Sequence, residues 1–123
     1  QAPSPTVSLF EAESPHRFIE IPLGLPEAVA LSNALSSIAG KRPSTHELFA
    51  ETLQVLKADI AAVRITQLQR SVFYAELDLM TPQGRVLLDC RASDAFILAM
   101  RQAVAAPILV AESVFRAAAR ADS

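Results

Sequence analysis

The chain has 123 residues, enough for one domain, with 51% apolar residues, a net charge of −2 and one cysteine. That composition excludes a disordered chain, an intramolecular disulfide and a long-range basic field that would draw in nucleic acid. The absence of Trp and the low aromatic content also argue against a base-stacking platform.

Residues 1–6 are Pro-rich and read as a loose lead into a single domain over 7–121. Gln1 stands where an initiator Met would, as in a processed or trimmed chain. Val7–Glu11 and Arg17–Ile21 alternate apolar and polar residues and predict two strands, joined by the turn chemistry of Glu13-Ser14-Pro15-His16. A helix follows, with Pro26 in its first turn, Glu27 at the positive end of its dipole and Gly40 expected just past its end. Its apolar face is Leu31, Ala34, Leu35 and Ile38. After the basic connector Lys41-Arg42-Pro43, Ser44 and Glu47 form a capping box, with Thr45 as the competing N-cap. The helix it opens is expected to bury Leu48, Phe49, Leu53 and Leu56.

Ala61, Val63 and Ile65 alternate as a strand, and Val72–Leu79 does so more clearly. Thr81-Pro82-Gln83-Gly84 places Pro and Gly where a type I turn takes them, so Arg85–Asp89 is the hairpin partner. Ser93 reads as the N-cap of a third helix, with Asp94 in its first turn and apolar residues nearly all round. Pro107–Val110 is a short buried strand and Val114–Ala121 a terminal helix. The longest apolar run, Ala103–Ala111, is broken by Pro107 and too short to span a bilayer, so a soluble protein with no membrane partner is expected. The fold class is therefore α+β: a mixed, largely antiparallel sheet of short strands and hairpins packed with about four helices. Ile21 precedes Glu27-Ala28 by the interval that separates Leu88 from Asp94-Ala95. The repeat reads either as an internal duplication or as the acid that any strand-to-helix junction favours.

Polar residues gather at two helix starts. Thr45, His46 and Glu47 open one, and Asp89, Arg91, Ser93 and Asp94 lead into the other. Exposed N–H groups and the helix dipole suit both for an anion such as phosphate, with Arg42 and Arg91 placed to add charge-assisted contacts. Asp89, Asp94, Glu47 and Glu27 could offer oxygen ligands to Mg²⁺ or Mn²⁺, and His46 could act as general base or ligand. Each also has a structural reading. Ser44, Thr45 and Ser93 serve as plain caps worth about 1 kcal/mol apiece, Glu47 and Asp94 stabilise helix starts, and Arg91 pairs with Asp89 or Asp94. His16 belongs in a solvated loop, and Cys90 reads as packing rather than as a nucleophile for His46.

Four ordered motifs carry a resemblance. Arg42-Pro-Ser-Thr-His-Glu-Leu48, Val72-Phe-Tyr-Ala-Glu-Leu77, Asp89-Cys-Arg-Ala-Ser-Asp-Ala95 and Ala106-Pro-Ile108 resemble the bifunctional nuclease domain family, from about Val7 to Val114. Ile19-Glu-Ile-Pro-Leu-Gly24 with Glu27-Ala28 is similar to a further family segment. Glu47 stands for the usual Asp, Ala92 for the usual Pro, and Gln69-Arg-Ser71 for a Gly-bearing turn. The resemblance also implies a first strand that would be expected ahead of Gln1. The resemblance implies a cytoplasmic, self-associating domain that cleaves RNA and DNA.

The expected function is metal-assisted phosphodiester hydrolysis. Asp89 and Asp94 would hold a divalent ion (Mg²⁺ or Mn²⁺), His46, Asp94 and Glu47 would carry the catalysis, and Arg42, Arg91, Ser93 and Thr45 would bind phosphate. The alternative is a non-catalytic regulatory or scaffold module that binds a protein partner or a small anion. A homo-oligomer is expected, with Val114 and Phe115 or the N-terminal strand edge at its interface.

Overall fold

The computed structural model describes residues 5–122, so residues 1–4 of the expected loose segment lie outside the described residues. Pro5, whose carbonyl accepts from the Leu23 N–H at 2.9 Å, and Thr6, the first residue of a strand, are ordered. Thr6–Phe10 (β1) and Phe18–Pro22 (β2) form an antiparallel hairpin in which Val7 faces Ile21 and Leu9 faces Ile19. Asp59–Gln69 (β3), Val72–Thr81 (β4) and Gly84–Arg91 (β5) form a meander, and Ile108–Val110 (β6) adds to β3 in parallel. The four-stranded order is β5-β4-β3-β6. Helices span Leu25–Leu35 (α1), Thr45–Val55 (α2), Ala92–Arg101 (α3) and Glu112–Asp122 (α4). Two sheets, mostly antiparallel, with four helices make the α+β fold that the alternation and capping signals predict. None of the described helices is long and apolar enough to cross a membrane.

The meander follows from local chemistry. Arg70 and Ser71 both take positive φ, the geometry of the two-residue turn whose twist matches its flanking strands. At the next corner Thr81 Oγ1 accepts from the Gln83 N–H at 3.1 Å and donates to the Gly84 carbonyl at 2.8 Å, while Gly84 at φ 119 supplies a conformation that L side chains rarely adopt. Ala75, Leu77 and Leu79 then point to one face of β4, where α3 lies across the sheet. Helix α3 is buried at Ala92 and from Ala95 to Ala99 because it has neighbours on both sides: the sheet beneath, α1 and α2 above. The apolar circumference seen in the sequence is thus core rather than an exposed patch.

Several local expectations are corrected. Helix α1 ends at Leu35, not at Gly40, because Ser37 takes the left-handed conformation (φ 56) and the Ile38 N–H closes back on the Asn33 carbonyl at 2.8 Å. Leu35 and Ile38 are consequently exposed, leaving Leu31 and Ala34 as the buried face. Helix α2 turns a different stripe inward: His46, Glu47, Ala50 and Leu53 are half-buried, whereas Leu48, Phe49 and Leu56 are exposed. Val114 is fully buried, and Phe115 lies 4.5 Å beneath the Arg17 guanidinium, which also pairs with Glu11 and Glu112. These contacts hold α4 against the first hairpin, so Val114 is core rather than interface and Phe115 is left half-buried. Both segments with matching spacing are hairpins that feed helices, and α1 packs on α3. They differ in detail: the hairpins lie in separate sheets, and only α1 is preceded by a short loop.

Candidate active site

Helix α2 starts where Ser44 adopts an extended backbone and its Oγ accepts from the Glu47 N–H at 3.2 Å, so Ser44 and not Thr45 is the cap. The first turn then directs His46 toward α3. Strand β5 passes into α3 with no intervening loop, which puts Arg91 (φ −72, ψ 145) at the cap position and Ser93 inside the first turn. Ser93 is therefore not the cap that its residue type suggests. Asp94 does occupy the first turn, facing α2.

Three side chains meet there. His46 Nε2 lies 2.8 Å from Asp94 Oδ1, Arg91 Nε donates to Asp94 Oδ2 at 2.8 Å, and Arg91 Nη2 donates to Oδ1 at 3.1 Å. Burial alone would raise the Asp94 carboxyl, but the Arg91 and His46 hydrogen bonds outweigh it and hold it below the usual carboxylate range. An ionised carboxylate only accepts, so His46 Nε2 carries the hydrogen and Nδ1 is left free to take or give a proton. The side chains of His46 and Asp94 are 22% and 26% exposed, open enough for a substrate to reach, and that of Arg91 is 67% exposed with further N–H groups available. Glu27 of α1 adds to the negative field on Arg91. The set can orient an imidazole, move a proton and hold an anion.

The other expected site residues stand apart. Glu47 turns from His46 toward Arg101, 4.0 Å from its Nη2. Burial would raise the Glu47 carboxyl, but the Ser44 hydroxyl and N–H, the Gly40 backbone and Arg101 together keep it low. Asp89 is exposed on β5 in register with Glu76, on the strand side opposite the core-facing Cys90, which pairs with Ala75. Arg42 and Thr45 are exposed, and Ser93 is half-buried. Among the described residues no three His, Cys, Asp or Glu side chains gather in a way that could hold a metal ion. Burial, then the nearby Asp89 and Asp94 charges, push the Cys90 thiol up to about 11, so it stays protonated at neutral pH and serves packing.

Two polar groupings escaped the sequence reading. Asp78, only 4% exposed, accepts from Arg64 at 2.9 Å and from Arg85 at 2.9 Å on the sheet face away from α3. Arg101 lies seven residues beyond Asp94 and shares its α3 face, a spacing the sequence displays once α3 is known to be helical.

The hairpin-rich α+β fold and the paired helix starts define a domain with a polar junction assembled from two distant motifs. The bifunctional nuclease domain profile matches residues 7–122, and the chain belongs to that family. Uncharacterized proteins from two Mycobacterium tuberculosis strains, CDC 1551 and H37Rv, are each 33% identical over 110 residues, covering 89% of this chain. The chain spans 63% of the length of these relatives.

Proposed function

We propose that the chain cleaves phosphodiester bonds of RNA and DNA at the His46–Asp94–Arg91 junction. The observation that carries the proposal is the 2.8 Å His46–Asp94 bond, which joins two family motifs 48 residues apart in sequence. On RNA, His46 Nδ1 takes the proton of the 2′-hydroxyl, the freed oxygen attacks phosphorus, and the bond to the 5′-oxygen breaks. On DNA, water takes the place of the 2′-hydroxyl as nucleophile. In both cases the leaving oxygen collects a proton from the imidazolium. Asp94 is a positioning residue that fixes the tautomer and stabilises the imidazolium. Arg91, with Arg42 from the connector, neutralises the phosphate, and Thr45 and Ser93 lie close enough in sequence to join them.

A divalent ion belongs to the proposal in a limited form. Both Asp94 oxygens are engaged by Arg91 and His46, so the residues as they stand do not build a cation cage, and no step is routed through a metal. Mg²⁺ or Mn²⁺ would enter with substrate phosphates, using the exposed Asp89 for one ligand. The test is cleavage of labelled RNA and DNA by purified protein, with and without chelator, beside His46→Ala. The proposal expects cleavage that His46→Ala removes, and cleavage unchanged in the variant overturns it.

A second reading has one observation behind it. Asp94 is fully engaged within the chain, as a polar staple between α2 and α3 would be, which suits a non-catalytic module. Absence of any cleavage by folded protein across divalent metals favours that reading.

A cytoplasmic setting is part of the proposal and agrees with the free Cys90. So is self-association, through the edge of the N-terminal strands, with the exposed α2 stripe of Leu48, Val55 and Leu56 as a further apolar surface. Light scattering is expected to give a multiple of the chain mass, and a monomer mass at every concentration removes this part.

A further inference from the structure

Beside the junction, α2 and the end of α3 enclose a cleft of about 570 Å³ against the start of β3, within the size range of ligand pockets. Leu53 and Leu98 line its walls, and Glu47 and Arg101 lie together within it. Their 4.0 Å separation is too long for a hydrogen bond, so Arg101 gains none from Glu47, whose carboxylate keeps lone pairs beyond those turned to Ser44 and Gly40. Arg101 Nε is moreover buried with no acceptor among the described residues. An unpaired buried donor is uncommon and calls for an explanation. Glu51 and Asp59 also line the cleft, so three acidic residues border it against the one basic residue, Arg101. That balance repels phosphate and admits an uncharged, planar group between apolar walls.

Resting on the phosphodiesterase reading, we infer that this cleft is a subsite for a guanine base of the substrate. Glu47 can only accept and Arg101 can only donate. A ligand that bridges them must present donors beside an acceptor. Guanine carries two adjacent N–H donor groups, N1 and N2, which match the two oxygens of one carboxylate, and O6 next to them accepts from a guanidinium. Adenine, cytosine and uracil each offer a single donor group on that edge. Glu47 directly follows His46 in α2, so a base seated here places its own phosphate toward the junction while the acids keep that phosphate out of the cleft.

Titration of the protein with guanosine, adenosine, cytidine and uridine, followed by amide chemical shifts, tests the inference. Nucleosides have no phosphodiester bond, so their binding is independent of whether the chain cleaves. Guanosine is expected to bind roughly tenfold or more tightly than the others, the discrimination of one good bidentate pair. Its shifts should centre on Glu47, Leu53, Leu98 and Arg101, and Glu47→Gln should bring the four nucleosides to near parity. Equal affinities, no binding, or shifts centred elsewhere on the wild-type protein overturn the inference, whether or not the variant folds. Cleavage without guanosine preference removes the subsite alone. Guanosine binding without cleavage removes the phosphodiesterase reading alone.

Discussion

Asp94→Asn lowers the single-turnover cleavage rate by roughly 10²- to 10⁴-fold, the range seen when the group that orients a catalytic imidazole is lost. Asparagine keeps the shape but offers one acceptor oxygen where the carboxylate offers two. It also carries no charge to match Arg91 or the imidazolium, and its amide can turn an N–H toward His46 Nε2. The junction then no longer dictates which ring nitrogen holds the proton. A purely structural role for Asp94 would lower the rate only in step with folded protein, so the decisive comparison is a double-mutant cycle. In the His46→Ala background, Asp94→Asn should cost almost nothing further, because residues that act as a unit are not additive. Independent, multiplying losses, with both variants folded, would separate Asp94 from His46.

Phe96→Ala destabilises the domain by about 3–5 kcal/mol, a large fraction of what a domain of this size holds in reserve. Phe96 is 2% exposed on α3, with the sheet on one side and helices on the other, so truncation leaves a cavity that rigid neighbours on both sides cannot fill. Urea unfolding should show the midpoint reduced by roughly 2 M with the slope unchanged. Leu48→Ala on α2 is the paired control. Leu48 is 57% exposed, and its truncation should change stability by about 0.5 kcal/mol or less. A Leu48 effect as large as that of Phe96 would mean that α2 buries the opposite face.

That contrast marks where the sequence stopped being informative. The strands were legible because alternation has one solution: Val7 and Leu9 inward in β1, and Ala75, Leu77 and Leu79 inward in β4. The α2 sequence carries two apolar stripes about half a turn apart, and hydrophobicity alone prefers the larger one through Leu48 and Leu56. The helix presents the other because His46 and Glu47 meet partners on α3, Asp94 and Arg101, that no window of α2 contains. The end of α1 was misplaced for a related reason, since Ser37 takes the left-handed conformation usually assigned to Gly. Asp78 sits at an outward position of β4, and its burial depends on Arg64 and Arg85 reaching in from β3 and β5. At the site, motif resemblance picked out His46, Arg91 and Asp94 together. Residue type alone could not separate Asp94, which engages His46, from Asp89, which is exposed on β5.

The central claim, that His46 moves the proton in phosphodiester cleavage, is tested most directly by chemical rescue. His46→Gly is assayed on labelled RNA and DNA with increasing imidazole, beside the wild-type protein prepared in the same way. The account predicts that the variant loses cleavage and regains part of it as imidazole fills the vacated position next to Asp94, with no gain in the wild type. A His46→Gly protein that cleaves at the wild-type rate without imidazole would contradict it.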